Sequence, residues 1–504
     1  MAHAALLGLA ALCAPVAWAP AQAQQSPATA LPNLGDGSEL TPTAERRIGD
    51  RIARELYRDP DYLDDPVIGD YVQAIWQPLL AAARQRGELT AQVDEVFAWD
   101  ILMGRDRTVN AFALPGGYFG LHLGLVAIVT SRDELASVLA HELSHVTQRH
   151  IARSMSRQAA QAPWVMGALI LGMLAASKDP GAAQATIVGT QAAAAQNQLN
   201  YSRDMEREAD RIGFGLQSQA GFAPQGFVSM FEKLQQSSRL NDSGGFAYLR
   251  SHPLTTERIA DMQSRVQQSA NASASGSPGV EHALIAARAR VLSNPSVDAL
   301  RLWEQEVKSA HGSKQSEAAQ IGTLYGASFA ALKLRDFVQA HTLLTRLTER
   351  VRTNPEGLRL ARLLGVELAL AQGDAIAAAG LVKALTDSSR ATLLARTQTE
   401  IRTGRGESAA QSLQTWLADH PRDAAAWQLL AAANSAAGKG VAAVRAEAEV
   451  NVAQMDYAAA LTRFKAAQDL ARKSVATTDH IDASIVDTRA RQMESLLREQ
   501  ALER

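Results

Sequence analysis

His141-Glu142-Leu143-Ser144-His145 concentrates the most chemistry into the fewest residues of this chain. Residues four apart share one face of a helix. The His141 and His145 imidazoles can therefore approach a single Zn2+, each at about 2.0–2.1 Å. Glu142 lies one residue round from His141, where it cannot easily share the ion but can face a water beside it. Zinc lowers the pKa of such a water towards about 7, and a nearby carboxylate takes its proton as it attacks a peptide carbonyl. A catalytic zinc needs a third protein ligand and one open position. Glu206-Arg207-Glu208-Ala209-Asp210 offers it. Glu206 and Asp210 share a helix face; Glu206 is expected to bind the metal and Asp210 to fix the tautomer of a ligand histidine. Glu208 is expected to point elsewhere, into solvent. His122, His150, His282, His311, His341, His420 and His480 carry no such pattern, and His150, five residues after the motif, is expected to face away from the metal.

These side chains need rigid elements to hold them. Ser131 can cap a helix, with Glu134 three residues on as in a capping box, and Leu135, Val138, Leu139 and Val146 give that helix an apolar face. Upstream, Val96–Leu102 and Val109–Leu114 read as strands, Pro115-Gly116-Gly117 as a turn and Tyr118–Leu125 as a returning third strand. Helical pattern runs from near Ala44 and again from Ser202 to about Gln267. Trp164–Ala176 is almost wholly apolar, yet thirteen residues are too few for a helix to cross a bilayer. It reads either as a buried helical hairpin or as an apolar flap near the active site or a membrane surface. Arg149, Arg153 and Arg157, at i, i+4 spacing, read as a solvated helix face.

With 504 residues the chain is too long for one core, and its formal charge of −2 lacks the basic excess that nucleic-acid binding requires. Residues 1–23 read as a secretory signal: Ala4–Leu12 is apolar and Ala21-Gln22-Ala23 is a small-x-small cleavage site. The sole cysteine, Cys13, lies inside that signal, and Leu12 before it disfavours a lipid anchor. The mature chain then enters an oxidising compartment with no thiol. Residues 24–43 read as a tether, 44–268 as the metal-binding domain and 269–280, rich in Ser and Gly, as a linker. In 281–504 a small residue follows a Gly or Asp turn at Ala340, Ala378, Ala410 and Ala443, spaced by 38, 32 and 33 residues. That spacing predicts helix–turn–helix repeats of tetratricopeptide type, whose stacking makes a concave surface for another polypeptide. A non-repeating helical bundle is the alternative.

The HExxH, the ExxxD and Ser251-His252-Pro253 with Arg258 together resemble the metallopeptidase family of HtpX and the CAAX prenyl proteases. Asn110-Ala111-Phe112-Ala113-Leu114-Pro115-Gly116-Gly117 is similar to that family's edge-strand segment. The signal and the repeats point within it to the periplasmic branch that serves outer-membrane assembly. The resemblance implies an α+β zincin-like metallopeptidase domain followed by an all-α TPR-type solenoid. It implies zinc on His141, His145 and Glu206, Glu142 as general base, and His252 and Arg258 near the metal, steadying the oxyanion. It also implies an extended substrate paired along Asn110, Ala111, Phe112 and Ala113, which is β-augmentation. Implied partners are unfolded or misassembled outer-membrane proteins and, through the repeats, the β-barrel assembly machinery. Two hypotheses follow: His252 takes the fourth position on the metal and holds the enzyme latent, or the chain is a non-proteolytic adaptor and chaperone with a latent peptidase domain.

Overall fold

The computed structural model describes residues 40–157, 203–240, 245–269, 279–310, 316–473 and 479–502. The signal, most of the tether, the apolar 164–176 stretch, His311 and most of the 269–280 segment lie outside the described residues. The region that carries the HExxH is mostly helical with a small sheet, and many helices follow it. The described residues form one compact unit.

Helix α1 (Pro42–Arg58) begins two residues before the expected start, because the Thr41 hydroxyl accepts from Ala44 N and Pro42 is well suited to the first turn. Helix α2 (Pro66–Gln85) is capped in the same way by Asp65, which accepts from Ile68 N at 2.9 Å. The strand expected over Val96–Leu102 starts late. Thr90 caps a short helix α3 (Ala91–Val96), and Phe97 N closes it on Val93 O. The backbone then turns left-handed at Trp99 (φ +52), so β1 is Asp100–Gly104. The other two strands are shorter than expected: β2 is Ala111–Leu114 and β3 is Tyr118–His122, after which helix α4 (Leu123–Ile128) replaces the end of the anticipated strand. Gly116 and Gly117 (φ +72 and +78) make the β2–β3 turn, a conformation side-chain-bearing residues rarely adopt. The sheet order is β1-β3-β2; β3 runs parallel to β1 and antiparallel to β2, which leaves β2 at an edge.

Helix α5 (Arg132–Thr147) carries the HExxH. Ser131 Oγ accepts from Glu134 N at 3.2 Å as expected, but the Glu134 carboxylate reaches one residue further back, to Thr130 N, and pairs with Lys233. Arg149 breaks the helix at φ +51, and α6 (His150–Arg157) restarts at a new angle. Helix α7 (Arg203–Gln219) packs along α5. The two backbones approach at Gly213, where a Cβ would lie 3.1 Å from Ala140 and from His141 N. Helices α8 (Gln225–Leu240), α9 (Tyr248–Ser251) and α10 (Thr256–Gln268) complete the region.

Beyond it, α11 (Val280–Ser293) packs on α4, and the helices that follow bury Ala340, Ala378, Ala410 and Ala443 at their contacts. Several of them grip the region that carries the HExxH. Arg288 forms a buried pair with Asp65 at 2.8 Å and also bonds Tyr325 Oη and Glu367. His282 bridges Tyr71 Oη and Val129 O. Arg390 joins Asp64 to Asp423, and Met455 enters the core made by Ile52, Leu114 and Tyr118.

Candidate metal centre

One turn of α5 separates His141 from His145 and brings their Nε2 atoms to 3.0 Å from each other. Because α7 packs so closely, Glu206 arrives with Oε2 at 3.5 Å from His141 Nε2 and Oε1 at 3.5 Å from His145 Nε2. At the end of α9, His252 contributes Nδ1, 3.3 Å from His141 Nε2 and 3.1 Å from Glu206 Oε1. All four residues are buried, and one ligand atom from each lies within 4.8 Å of the others. The edge of a tetrahedron around an ion bound at 2.0–2.1 Å is about 3.3 Å. The separations of 3.0–3.5 Å given above scatter about that value, so the three imidazoles and the carboxylate fit a metal ion.

Electrostatics favour a cation at the same point. Burial alone would lower the His141 pKa, but Asp210 and Glu206 outweigh it and push it up to about 9. The carboxylates that would retain a proton there would equally hold a metal. Burial holds the His145 pKa well below its ordinary value, so this ring is neutral, as a ligand must be. Burial raises the Glu206 pKa, but His252 and His141 outweigh it and keep the group ionised.

Asp210 Oδ1 lies 3.0 Å from His141 Nδ1, on the side of the ring away from the cluster. The Arg258 guanidinium is engaged by carboxylates. Its Nε and one terminal nitrogen clasp Asp210 at 2.6 and 2.8 Å, and the other reaches Glu206 Oε2 at 2.9 Å and Pro253 O at 2.8 Å. Two carboxylates on one face of a dry helix need a countercharge, and Arg258 supplies it from behind the ligands.

Glu142 occupies the other side. Its Oε2 accepts from Ala113 N at 2.9 Å, so the edge strand β2 presents a backbone N–H to this carboxylate rather than to β3. Oε1 lies 3.4 Å from His252 Nε2 and accepts no hydrogen bond among the described residues. Burial raises the Glu142 pKa, only partly opposed by His252 and His141. Of the other edge-strand residues, Asn110 O accepts from His122 N, Ala111 is buried opposite Leu121, and the Phe112 ring lies across Gly120. Val109, just before the strand, bonds Gly245 O through its N–H and Tyr248 N through its carbonyl. The segment carrying His252 is thereby fastened to the same edge, and Tyr248 stacks on His252.

Several residues beside the centre depart from the sequence expectation. His150 is fully buried, and its Nδ1 lies 2.8 Å from Nδ1 of His145. Glu208 is not simply solvated: Oε2 lies 3.0 Å from His150 Nε2 and 2.9 Å from Arg153 Nη1. Arg153 therefore serves an ion pair, not a bare solvated face.

A model of peptidase family M48 matches residues 72–266, which enclose the whole cluster. Over 94% of this chain and 95% of the relative, the sequence is 33% identical to a putative beta-barrel assembly-enhancing protease of Vibrio cholerae. The chain belongs to peptidase family M48. This M48 metallopeptidase is also 30% identical to the beta-barrel assembly-enhancing protease (BepA) of Escherichia coli, over 88% of each chain. A mitochondrial metalloendopeptidase of Saccharomyces cerevisiae is 30% identical over 38% of this chain and 54% of its own. Among the described residues of the M48 chain, no helix is long and apolar enough to cross a membrane.

Proposed function

We propose that this M48 metallopeptidase is a periplasmic zinc endopeptidase that cleaves stalled or misassembled outer-membrane β-barrel proteins and also acts on them as a chaperone. The observation that carries the peptidase reading is the position of Glu142, set between the N–H of an edge strand and a four-residue metal cluster. The near full-length relatives named as beta-barrel assembly-enhancing proteases support the substrate class. The proposed organisation is a signal at 1–23, a tether to the first helix, a peptidase to 268, a linker at 269–280 and tetratricopeptide-type repeats in 281–504 that dock substrate or the assembly machinery.

In this reading His141, His145 and Glu206 hold zinc. When bound, zinc polarises a carbonyl and lowers the pKa of water. An extended substrate pairs with β2 through the backbone edge of Ala111 and Ala113, which sets its carbonyl beside Glu142. Glu142 Oε1 takes the proton of the attacking water and delivers it to the leaving amine. Asp210, itself held by Arg258, fixes the tautomer and tilt of His141. His252, with Nδ1 at 3.3 Å from His141 Nε2, would hold the fourth position at rest and would have to yield it to substrate. The latent state favours a second, compatible reading in which the resting chain binds partners without cutting them.

Glu142→Gln tests both readings. It should lower cleavage of an unfolded β-barrel substrate by at least about 100-fold while zinc content and partner binding persist. Cleavage at the wild-type rate would sink the mechanism. His252→Ala should raise basal proteolysis, and unchanged proteolysis would remove the latch.

A further inference from the structure

The two ligand histidines are supported differently. His141 Nδ1 meets a carboxylate directly, in Asp210 at 3.0 Å. His145 Nδ1 meets another imidazole, His150 Nδ1, at 2.8 Å. Two ring nitrogens at that distance share one proton, and nothing in the pair itself says which ring carries it. If His150 donated, His145 would hold its own proton on Nε2, aimed into the cluster 3.0 Å from His141 Nε2, and could not ligate.

Glu208 decides between these arrangements. An ionised carboxylate only accepts, and Arg153, 2.9 Å from the same oxygen, favours the ionised form. Glu208 Oε2 lies 3.0 Å from His150 Nε2, so Nε2 carries the His150 proton and Nδ1 keeps its lone pair. That lone pair accepts from His145 Nδ1–H and leaves the His145 Nε2 lone pair facing Glu206 Oε1 at 3.5 Å. The placement is built in. Arg149, at φ +51, folds the chain back so that His150 covers His145, and the Arg149 side chain is tied to buried Glu45 and to Leu40 O.

We propose that His150 and Glu208 are positioning residues for the metal centre, a carboxylate–imidazole relay that orients His145 and fixes it as an Nε2 ligand. The inference rests on the reading of His141, His145 and Glu206 as zinc ligands. It assigns a role to two side chains that touch neither metal nor substrate.

The test uses the full mature chain, stripped of metal and titrated with zinc against a chromophoric chelator. His150→Leu and Glu208→Ala should each weaken zinc binding by about 10–100-fold, and the double variant should be no worse than His150→Leu alone. Metal-free chains should melt within a few degrees of wild type. His150→Gln should restore affinity to within about threefold, because its carboxamide offers one acceptor to His145 and one donor to Glu208. Glu208 is part-exposed, so its variant keeps the test open if His150→Leu does not fold. Wild-type affinity in both His150→Leu and Glu208→Ala would overturn the relay and leave the metal reading standing. A folded His150→Gln as weak as His150→Leu would overturn the tautomer argument. If wild type itself bound no zinc, the metal reading would fall, and the relay with it.

Discussion

Replacing Arg288 by Met tests how the helices after 280 are joined to the peptidase. Arg288 makes contacts of 2.8–3.0 Å with Asp65, 2.8 Å with Glu367 and 3.1 Å with Tyr325 Oη, and its side chain and that of Asp65 are almost wholly buried. Burial raises the Asp65 pKa, but Arg288 and the Ile68 N–H outweigh it and hold the group below the usual carboxylate range. At 2.8 Å and an effective dielectric of 20 the gross attraction is ~6 kcal/mol. Much of that is offset by the desolvation of both charges. Removing only the cation strands a buried carboxylate, which costs about 3–5 kcal/mol. Arg288→Met should therefore shift the urea midpoint strongly downward at pH 7, followed by far-UV circular dichroism. Adding Asp65→Asn to that variant should recover about half of the loss, because the fully buried carboxylate is then gone and only the part-exposed Glu367 still lacks its cation. The pH dependence has a definite sign. A depressed carboxylate stabilises above its unfolded pKa near 3.9, and that stability is lost as pH falls through the folded pKa. The gap between wild type and Arg288→Met should thus narrow below about pH 4. An unmoved midpoint at pH 7, or a double variant no better than Arg288→Met, would show that the charge is solvated and refute the reasoning.

Two further outcomes concern the metal helices and the same junction. Gly213→Val inserts a branched side chain where even a Cβ would lie 3.1 Å from Ala140 and His141 N. It should force α7 away from α5, cost about 1–3 kcal/mol and weaken zinc binding more than Gly213→Ala does; isothermal titration showing equal affinities would contradict this. Burial depresses the His282 pKa, with Val129 O opposing only in part. As pH falls below about 6.5 the unfolded chain takes up a proton that the folded chain refuses, at up to about 1.4 kcal/mol per pH unit. His282→Gln should flatten that loss between pH 7.5 and 5.5 in paired urea titrations; an identical slope would assign the loss to other groups.

Periodicity made part of the centre readable before any coordinates. His141, His145, Glu206 and Asp210 follow from the 3.6-residue repeat of two helices, and their burial together needs only that the helices pack. The prominence of His252 came from a resemblance, since a loop histidine has no periodic signature. The sequence places His150 and Glu208 away from the metal because the side of His150 depends on a left-handed turn at Arg149, a residue with no glycine-like tendency to adopt it. The edge position of β2 likewise came from a resemblance, since no periodicity within a strand says which of its neighbours is missing. The late start of β1 reflects Thr90, whose cap draws Val93 and Val96 into a helix although both favour strands. No local pattern foretells a pair such as Asp65 and Arg288, joined across 223 positions of sequence.

The grip of the later helices on the peptidase also sets an order in time. A ribosome that releases this chain from its N-terminus delivers His141, His145, Glu206 and His252 before it delivers Arg288, and long before Arg390 and Met455. Throughout that interval Asp65 has no cation, His282 has not reached Tyr71, and the face of α4 that α11 covers is open to water. A nascent chain that stops short of Arg288 therefore carries every residue of the metal cluster without the clasp that closes its fold. Closing the fold around the centre therefore calls on residues that lie far beyond the cluster in the sequence.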